Sequence, residues 1–383
     1  VLESPKDLII FDVGHQVQAH KILTGRRDAF RKSFREFQGI SGLANAAESP
    51  HDPFTTGHGG ASISAALGVA AARRHLKKEG RVVAVIGDTS IASGMALEAL
   101  NHAGHIHEDL IVILNDNEMS ISPSVGAMSK YFNRIISNPL YNQLRDEVEG
   151  LIRRVPRGGK RMMNKIRQIE DGGKHLIIPG QLFENLGFRY FGPFDGHNVT
   201  ELVDVLPNVF KIPGPLLVHV ITRKGKGFEM AEKDPVRWHA STPFDLATGK
   251  VKSKSPHPTY TSVFGDVMCD LAAREPKLVA LTAAMAEGTG LVRFSREFTD
   301  RFYDVGISEE HGVTFCAGLA REGLRPAAVI YSTFLQRGFD QIMHDVALQN
   351  LPVMFCMDRA GLVGEDGPTH HGLLVIAYLR QIP

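Results

Sequence analysis

The sequence predicts an α/β chain of two domains, each a mainly parallel sheet flanked by helices. Three observations carry that expectation. The runs Val82-Val83-Ala84-Val85-Ile86 and Leu110-Ile111-Val112-Ile113-Leu114 are continuously apolar, the pattern of parallel strands covered on both faces. One helical stretch, Ser93 to Gly104, separates them, which makes a strand–helix–strand crossover. A second alternation of strands and helices follows a polar stretch, and 383 residues exceed one ordinary domain.

The elements follow in order. Leu8-Ile9-Ile10-Phe11 reads as the first strand. Gly60 to Lys78 reads as an Ala- and Ser-rich helix, preceded by the small-residue turn Thr55-Thr56-Gly57-His58-Gly59-Gly60. Backbone amides in such a turn can approach an anion, although a glycine-rich helix entry is more often only a cap. Residues 153–167 hold seven Arg or Lys and no acid, and the segment 150–175 is expected to be mobile. It has no interleaved aromatic residue for stacking bases, so nucleic-acid binding is not expected. Leu216-Leu217-Val218-His219-Val220-Ile221 reads as a buried strand. The expected domains are 1–243 and 260–383, joined by a linker over 244–259 that contains Gly249, Pro256 and Pro258. Strands of the second domain are expected at Leu278-Val279-Ala280-Leu281, Ala327-Ala328-Val329-Ile330 and Val353-Met354-Phe355-Cys356-Met357.

Bulk properties exclude several classes. A net charge of +1 gives no global field toward nucleic acid or anionic membrane. No apolar run reaches the roughly 20 residues a bilayer span needs. Cys269, Cys316 and Cys356 sit far apart in apolar contexts and read as reduced core residues. The chain begins at Val1 beside a strand and ends at Pro383 after an apolar stretch, so both ends read as cut from a longer protein.

The chemistry is expected at two strand ends. Gly87-Asp88-Thr89-Ser90 follows one strand of the crossover, and Asn115-Asp116-Asn117 follows the other. A right-handed crossover puts both ends on one edge of the sheet, where open α/β sheets bind ligands. The Asp88 carboxylate and the Asn117 amide oxygen make a hard, oxygen-only half-shell, suited to Mg²⁺ that also holds a diphosphate.

Asp88 and Asn117 lie 29 positions apart. Gly87-Asp88 with Asn115-Asp116-Asn117 at this spacing resembles the thiamine-diphosphate motif. Phe11-Asp12-Val13-Gly14-His15-Gln16, His20-Lys21-Ile22-Leu23-Thr24-Gly25-Arg26 and Gly39-Ile40-Ser41-Gly42 narrow the resemblance. So do Leu114 to Ser122, Tyr331 to Arg337, Asp358-Arg359-Ala360-Gly361 and Asp366-Gly367-Pro368-Thr369-His370. Together these runs resemble the 1-deoxy-D-xylulose-5-phosphate synthase family over essentially the whole chain.

The resemblance implies two thiamine-diphosphate-binding folds, a diphosphate-binding domain and then a pyrimidine-binding domain, with a third domain beyond Pro383 and a further segment before Val1. It implies decarboxylation of pyruvate on thiamine diphosphate and transfer of the two-carbon unit to glyceraldehyde 3-phosphate, which feeds isoprenoid, thiamine and pyridoxal synthesis. It also implies a homodimer, to which the small-residue helices would lend tight surfaces. The implied setting is a bacterial cytoplasm, with a plastid left open.

Site residues carry over position by position. Glu309 matches the acid that hydrogen-bonds the cofactor's aminopyrimidine; read alone, it is a surface acid at a helix N-terminus. Such an acid must carry a proton, so its pocket should exclude water. Asp88, Asn117 and the Met119 carbonyl would bind Mg²⁺. His15, Gly57, His58, Gly59, Thr89, Ser90, Asn117, Lys224, Phe228, Glu309 and Phe334 would line the cofactor. His15, His20, His239 and His370 are candidate proton carriers, with Asp366 to position the intermediate or orient a histidine. Tyr331 and Arg359 would contact the substrate phosphate, for which a guanidinium fork is suited; read alone, Arg359 pairs with Asp358.

Two departures stand out. Thr89 occupies a usual glycine position, so its backbone torsions must be ordinary ones. Leu374-Val375 stands where the family usually has Phe-Asp. Two other readings remain open: a transketolase-like enzyme with other substrates, and a non-catalytic paralogue.

Overall fold

The computed structural model describes residues 1–14, 16–119, 125–136, 180–239, 241, 243–251, 257–364 and 366–382. His15 and the basic segment 150–175, expected to be mobile, lie outside the described residues. The chain divides into two compact units. The first takes in Val1–His20, Leu43–Glu118 and Ala127–Thr222; the second takes in Lys21–Gly42, Met119–Gly126 and Arg223–Pro383.

The first unit is built on a five-stranded sheet of β1 (Leu8–Phe11), β2 (Val82–Gly87), β3 (Ile111–Asp116), β4 (Arg189–Asp195) and β5 (Leu216–Ile221). Its spatial order is β1-β2-β3-β5-β4, and every pairing is parallel. Alternate residues of β2 feed different cores. Val82, Ala84 and Ile86 pack with Ile63, Leu67 and Ala70 of α1 (Ser62–His75) and with Ala96, Leu100 and Ala103 of α2 (Gly94–Ile106). Val83 and Val85 face the other layer, with Val205 and Val209 of α4 (Val199–Val209); α3 (Ala127–Ile136) adds Phe132 and Ile135 to the first core. Both sheet faces are therefore covered, which is why these strands lack polar alternation. Leu100 is fully buried, so truncating it to Ala would cost about 2–5 kcal/mol. Ala66, Ala70, Ala96, Ala99 and Ala103, expected to suit a subunit contact, are consumed inside this unit's own core.

The sequence reading contained no strand at Arg189–Asp195. The strand holds Gly192 and Pro193, and its register with β5 shifts between Phe191 and Phe194. It lies at the sheet edge, where a proline takes no hydrogen bond from an inner ladder.

The second unit carries a four-stranded parallel sheet, order β7-β6-β8-β9. Its strands are β6 (Leu278–Thr282), β7 (Phe302–Asp304), β8 (Arg325–Tyr331) and β9 (Met354–Asp358). Again the faces split: Ala327 and Val329 pack with Met268, Cys269 and Ala272 of α5 (Tyr260–Arg274). Ala328 and Ile330 pack with Val313, Cys316 and Ala317 of α6 (Glu309–Arg321). The last residue of the expected linker, Thr259, is the N-cap of α5 and accepts from the Ser262 backbone N–H. The first, Phe244, is part of an aromatic cluster, its ring 4.4 Å from that of Trp238.

Candidate active site

In the first unit the register sets the two motifs side by side. Gly87 at the end of β2 pairs with Asn115 in β3. Asp88 and Asn117 therefore leave the same edge of adjacent strands. Asp88, Thr89 and Ser90 are buried, and Asn117 is half-buried. Thr89 has φ −76° and ψ −41°, ordinary right-handed torsions, so this turn has no need of glycine.

The small-residue turn comes to the same place. Gly60 has φ +81°, and a Cβ on it would collide with the Ser93 hydroxyl, beside the Ser90 carbonyl. Glycine is needed there for both reasons. Gly57 and Gly59 are buried and His58 half-buried. Asp12, 1% exposed, fixes the turn from below: its carboxylate accepts from the Gly60 N–H at 2.8 Å and the Ser62 N–H at 3.0 Å. Burial raises the Asp12 pKa, opposed by the bonds from Ser62, Gly60 and the Ser90 hydroxyl. Asp12 thus ties the turn to the Asp88–Ser90 segment, a role that its sequence neighbours do not signal.

His20 is paired as well. Its Nε2 lies 3.3 Å from Asp52 Oδ1 and 3.1 Å from the His51 carbonyl oxygen, and its ring is 5.1 Å from that of Phe11. Asp52 has no motif around it to mark it as a partner.

The second unit holds the remaining residues. Glu309 opens α6, is 3% exposed, and its Oε2 is buried with no hydrogen-bond partner. Burial pushes its carboxyl up to about 7, against the backbone hydrogen bond at its own residue and the Arg337 charge, with Glu310 adding to the rise. Glu309 is thus not the surface acid that its helix N-terminal position alone would suggest.

Tyr331, at the end of β8, is the centre of a stack. Its ring is 5.7 Å from Phe334 and nearly coplanar with it, and the Arg359 guanidinium lies 4.5 Å from its centroid. Arg359 also donates to the Gly288 carbonyl at 2.6 Å and to Asp358 at 2.8 Å. Burial pushes the Tyr331 hydroxyl up to about 12, moderated by Arg359. His370 continues the line, 5.5 Å from Phe334, its Nδ1 2.9 Å from the Thr369 hydroxyl. Asp366 is ion-paired with Arg35 at 2.5 Å, a partner not foreseen in the sequence. Phe228 packs its ring on Trp238 at 5.2 Å, while Lys224 and His239 are half-buried on the same segment. Met119, half-buried, belongs to this unit.

A family model described as 1-deoxy-D-xylulose-5-phosphate synthase matches residues 1–222. The chain belongs to that family. A second model, the transketolase pyrimidine-binding domain, matches residues 257–383. Curated relatives named 1-deoxy-D-xylulose-5-phosphate synthase are 53% identical in Heliobacterium modesticaldum and 54% in Carboxydothermus hydrogenoformans, each aligned over 100% of this chain. That of Syntrophomonas wolfei is 55% identical, also over 100% of this chain. The chain spans 59%, 61% and 60% of the lengths of these three relatives. Solved transketolases from Leishmania mexicana and Campylobacter jejuni align over 98% of the chain and 64% and 65% of theirs, at 18% and 17% identity and TM-scores of 0.41 and 0.42.

Membership of this family implies thiamine diphosphate, and the residues present fit it. Among the described residues no cluster of three or more His, Cys, Asp or Glu could hold a metal. A cation at Asp88 would have one protein carboxylate and otherwise neutral oxygens, which leaves positive charge for a diphosphate to neutralise. The buried Oε2 of Glu309 has no hydrogen-bond partner within the protein, which leaves it open to a ligand atom, and a carboxyl held near 7 can donate to a ring nitrogen.

Proposed function

We propose that this chain carries the cofactor-binding domains of an enzyme that decarboxylates pyruvate and transfers the two-carbon unit to glyceraldehyde 3-phosphate, giving 1-deoxy-D-xylulose 5-phosphate and CO₂. The observation that carries the reading is Glu309: a fully desolvated acid with an unsatisfied oxygen, in a chain of this family. Bound thiamine diphosphate would supply the carbon nucleophile and the electron sink for decarboxylation.

The chain's own residues have separable tasks. Asp88 and Asn117, with the Met119 carbonyl, would hold Mg²⁺. The Gly57-His58-Gly59 turn, with Thr89 and Ser90, would cradle the diphosphate through backbone and hydroxyl donors. Lys224, Phe228 and Phe334 would border the cofactor. Glu309 would hold a proton at Oε2 for the aminopyrimidine, and its dry pocket keeps that proton in place near neutral pH. His15, His20, His239 and His370 would carry protons, with Asp366 orienting the reacting group. Tyr331 and Arg359 would grip the phosphate of the aldehyde, so that binding energy remote from the reacting carbon positions it.

The decisive experiment supplies pyruvate and glyceraldehyde 3-phosphate to the full-length protein with Mg²⁺ and thiamine diphosphate. Formation of 1-deoxyxylulose 5-phosphate with equimolar CO₂ is expected; product only from other ketose donors would point to a transketolase-like activity. The ordinary torsions of Thr89 weigh against a non-catalytic paralogue. That activity would place the enzyme at the entry to isoprenoid and thiamine synthesis, in a bacterial cytoplasm. Among the described residues no helix is long and apolar enough to cross a membrane. A homodimer is part of the same proposal. Exposed apolar side chains of the second unit, including Phe37 (93%), Leu362 (77%) and Ile376 (70%), offer material for such a contact.

A further inference from the structure

Beneath the turn that carries Asn117 lies a chain of buried polar groups that none of the roles above uses. Asp116, the last residue of β3, is 1% exposed, and His219 of neighbouring β5 is fully buried. Asp116 Oδ2 is 3.0 Å from His219 Nε2, and His219 Nδ1 is 2.7 Å from the Tyr190 hydroxyl. A carboxylate only accepts, so Nε2 carries the hydrogen of the first bond and Nδ1 is left to pair with Tyr190. Phe132 sets a ring edge against the imidazole, 5.6 Å between centroids.

The other carboxylate oxygen reaches forward along the chain. Asp116 Oδ1 accepts from the Glu118 backbone N–H at 3.1 Å. Glu118 has φ +58°, left-handed backbone that a side chain with a Cβ adopts only under constraint. The Asp116–Glu118 bond is that constraint, a short side-chain-to-backbone ring spanning Asn117. Thr222 adds a second tie, donating its hydroxyl to Asn115 Oδ1 at 2.8 Å and its N–H to the Asp116 carbonyl at 2.8 Å.

An apolar residue at position 219 would pack on Phe132 and pay no desolvation of an imidazole. A polar chain in that place is intelligible when its far end must be held in one orientation. We infer that His219 is a positioning residue for the divalent cation: through Asp116 it locks the Glu118 backbone and with it the direction of the Asn117 side chain. The inference rests on the reading of Asp88 and Asn117 as cation ligands.

The test uses the full-length protein and calorimetric titration of Mg²⁺ in the presence of thiamine diphosphate. Amide exchange over residues 115–119, without metal or cofactor, is the second readout. His219→Leu should weaken Mg²⁺ about tenfold or more and speed exchange of the Glu118 amide. His219→Gln keeps an N–H for Asp116 and should restore affinity to within about threefold. Asp116→Leu, which removes both acceptor oxygens and so breaks the bonds to His219 Nε2 and to the Glu118 N–H, should behave like His219→Leu and serves if that variant does not fold. A purely structural histidine would lower the melting temperature in both His219 variants and leave Mg²⁺ affinity and Glu118 exchange unchanged, which overturns the inference. Asp88→Ala separates the two levels. If it loses Mg²⁺ while His219→Leu and Asp116→Leu keep it, the cation site stands and the positioning role falls. If Asp88→Ala keeps Mg²⁺, the site reading falls and the positioning role with it.

Discussion

The guanidinium of Arg359 covers the face of the Tyr331 ring, 4.5 Å from its centroid, while the same group donates to the Gly288 carbonyl and to Asp358. The cation is thereby held in one orientation, and Arg359 itself has left-handed backbone, φ +56°. Asp358 is fixed in turn by the Thr261 hydroxyl at 2.7 Å. Such preorganisation reduces the entropy lost on gripping an anion.

Arg359→Ala should raise the KM for glyceraldehyde 3-phosphate more than that for pyruvate, since only the first carries a phosphate. Loss of one charge-assisted contact is worth roughly 1.5–3 kcal/mol, or about one to two powers of ten. Steady-state kinetics with each substrate varied in turn checks it. Equal effects on both would make Arg359 structural. Arg359→Lys should recover little, because an ammonium cannot both stack on Tyr331 and bond Gly288 and Asp358 in a planar fork.

Glu309 should leave a mark on stability as well as on chemistry. Its carboxyl rises from an ordinary 4.5 to about 7 through burial. Between those values the native state keeps a proton that the unfolded chain has released. Stability therefore falls as pH rises through that window and levels off above it, by at most about 3 kcal/mol. Denaturant titrations of the protein and of Glu309→Gln from pH 4.5 to 8, without cofactor, should differ by this slope. Parallel curves would refute the shift. In the same variant, exchange of the cofactor's thiazolium proton should slow by orders of magnitude while binding changes little.

Asp88→Ala should abolish Mg²⁺-dependent binding of thiamine diphosphate. Asp88 is the one charged ligand in the proposed set, and without it the cation would be held by neutral oxygens alone. Calorimetry with and without Mg²⁺ reads this out; unchanged cofactor affinity would move the metal elsewhere.

The parts of this molecule that were legible in the sequence are those whose signal is local. The inner strands β2, β3, β5, β6 and β8 announced themselves as continuous apolar runs because both faces are buried. The edge strands β1 and β9 carry apolar runs of their own and were legible too, but the other two edges were not: β4 is interrupted by Gly192-Pro193, and β7 has only three residues. The strand-end motif and Glu309, in the run Gly306-Ile307-Ser308-Glu309-Glu310-His311, were legible because each sits among contiguous residues that resemble the family. Their partners were not. Arg35 meets Asp366 across 331 positions, and His219 meets Asp116 across 103. No spacing rule links residues that only the folded sheet or a loop contact brings together. Arg359 was read two ways, and its bond to Asp358 is present together with the stack on Tyr331.

Gly288 offers the sharpest test of the Tyr331 stack. Its backbone is not left-handed, so alanine there meets no torsional penalty of its own. A Cβ at Gly288 would, however, collide with the Tyr331 hydroxyl and press on its ring carbon Cζ and on Met285. The ring has little room to yield: Phe334 lies on one side and the Arg359 guanidinium on it. Displacing the hydroxyl should also strain the Arg359 bond to the Gly288 carbonyl, since ring and guanidinium move together. Gly288→Ala should therefore reproduce Tyr331→Phe and part of Arg359→Ala at once. The KM for the phosphorylated aldehyde rises, and pyruvate decarboxylation in its absence is nearly unchanged. The double variant Gly288→Ala/Tyr331→Phe should be less impaired than the sum of the two, because removing the hydroxyl opens the space the new methyl needs. Additive losses would mean that Gly288 acts on the site by another route than Tyr331.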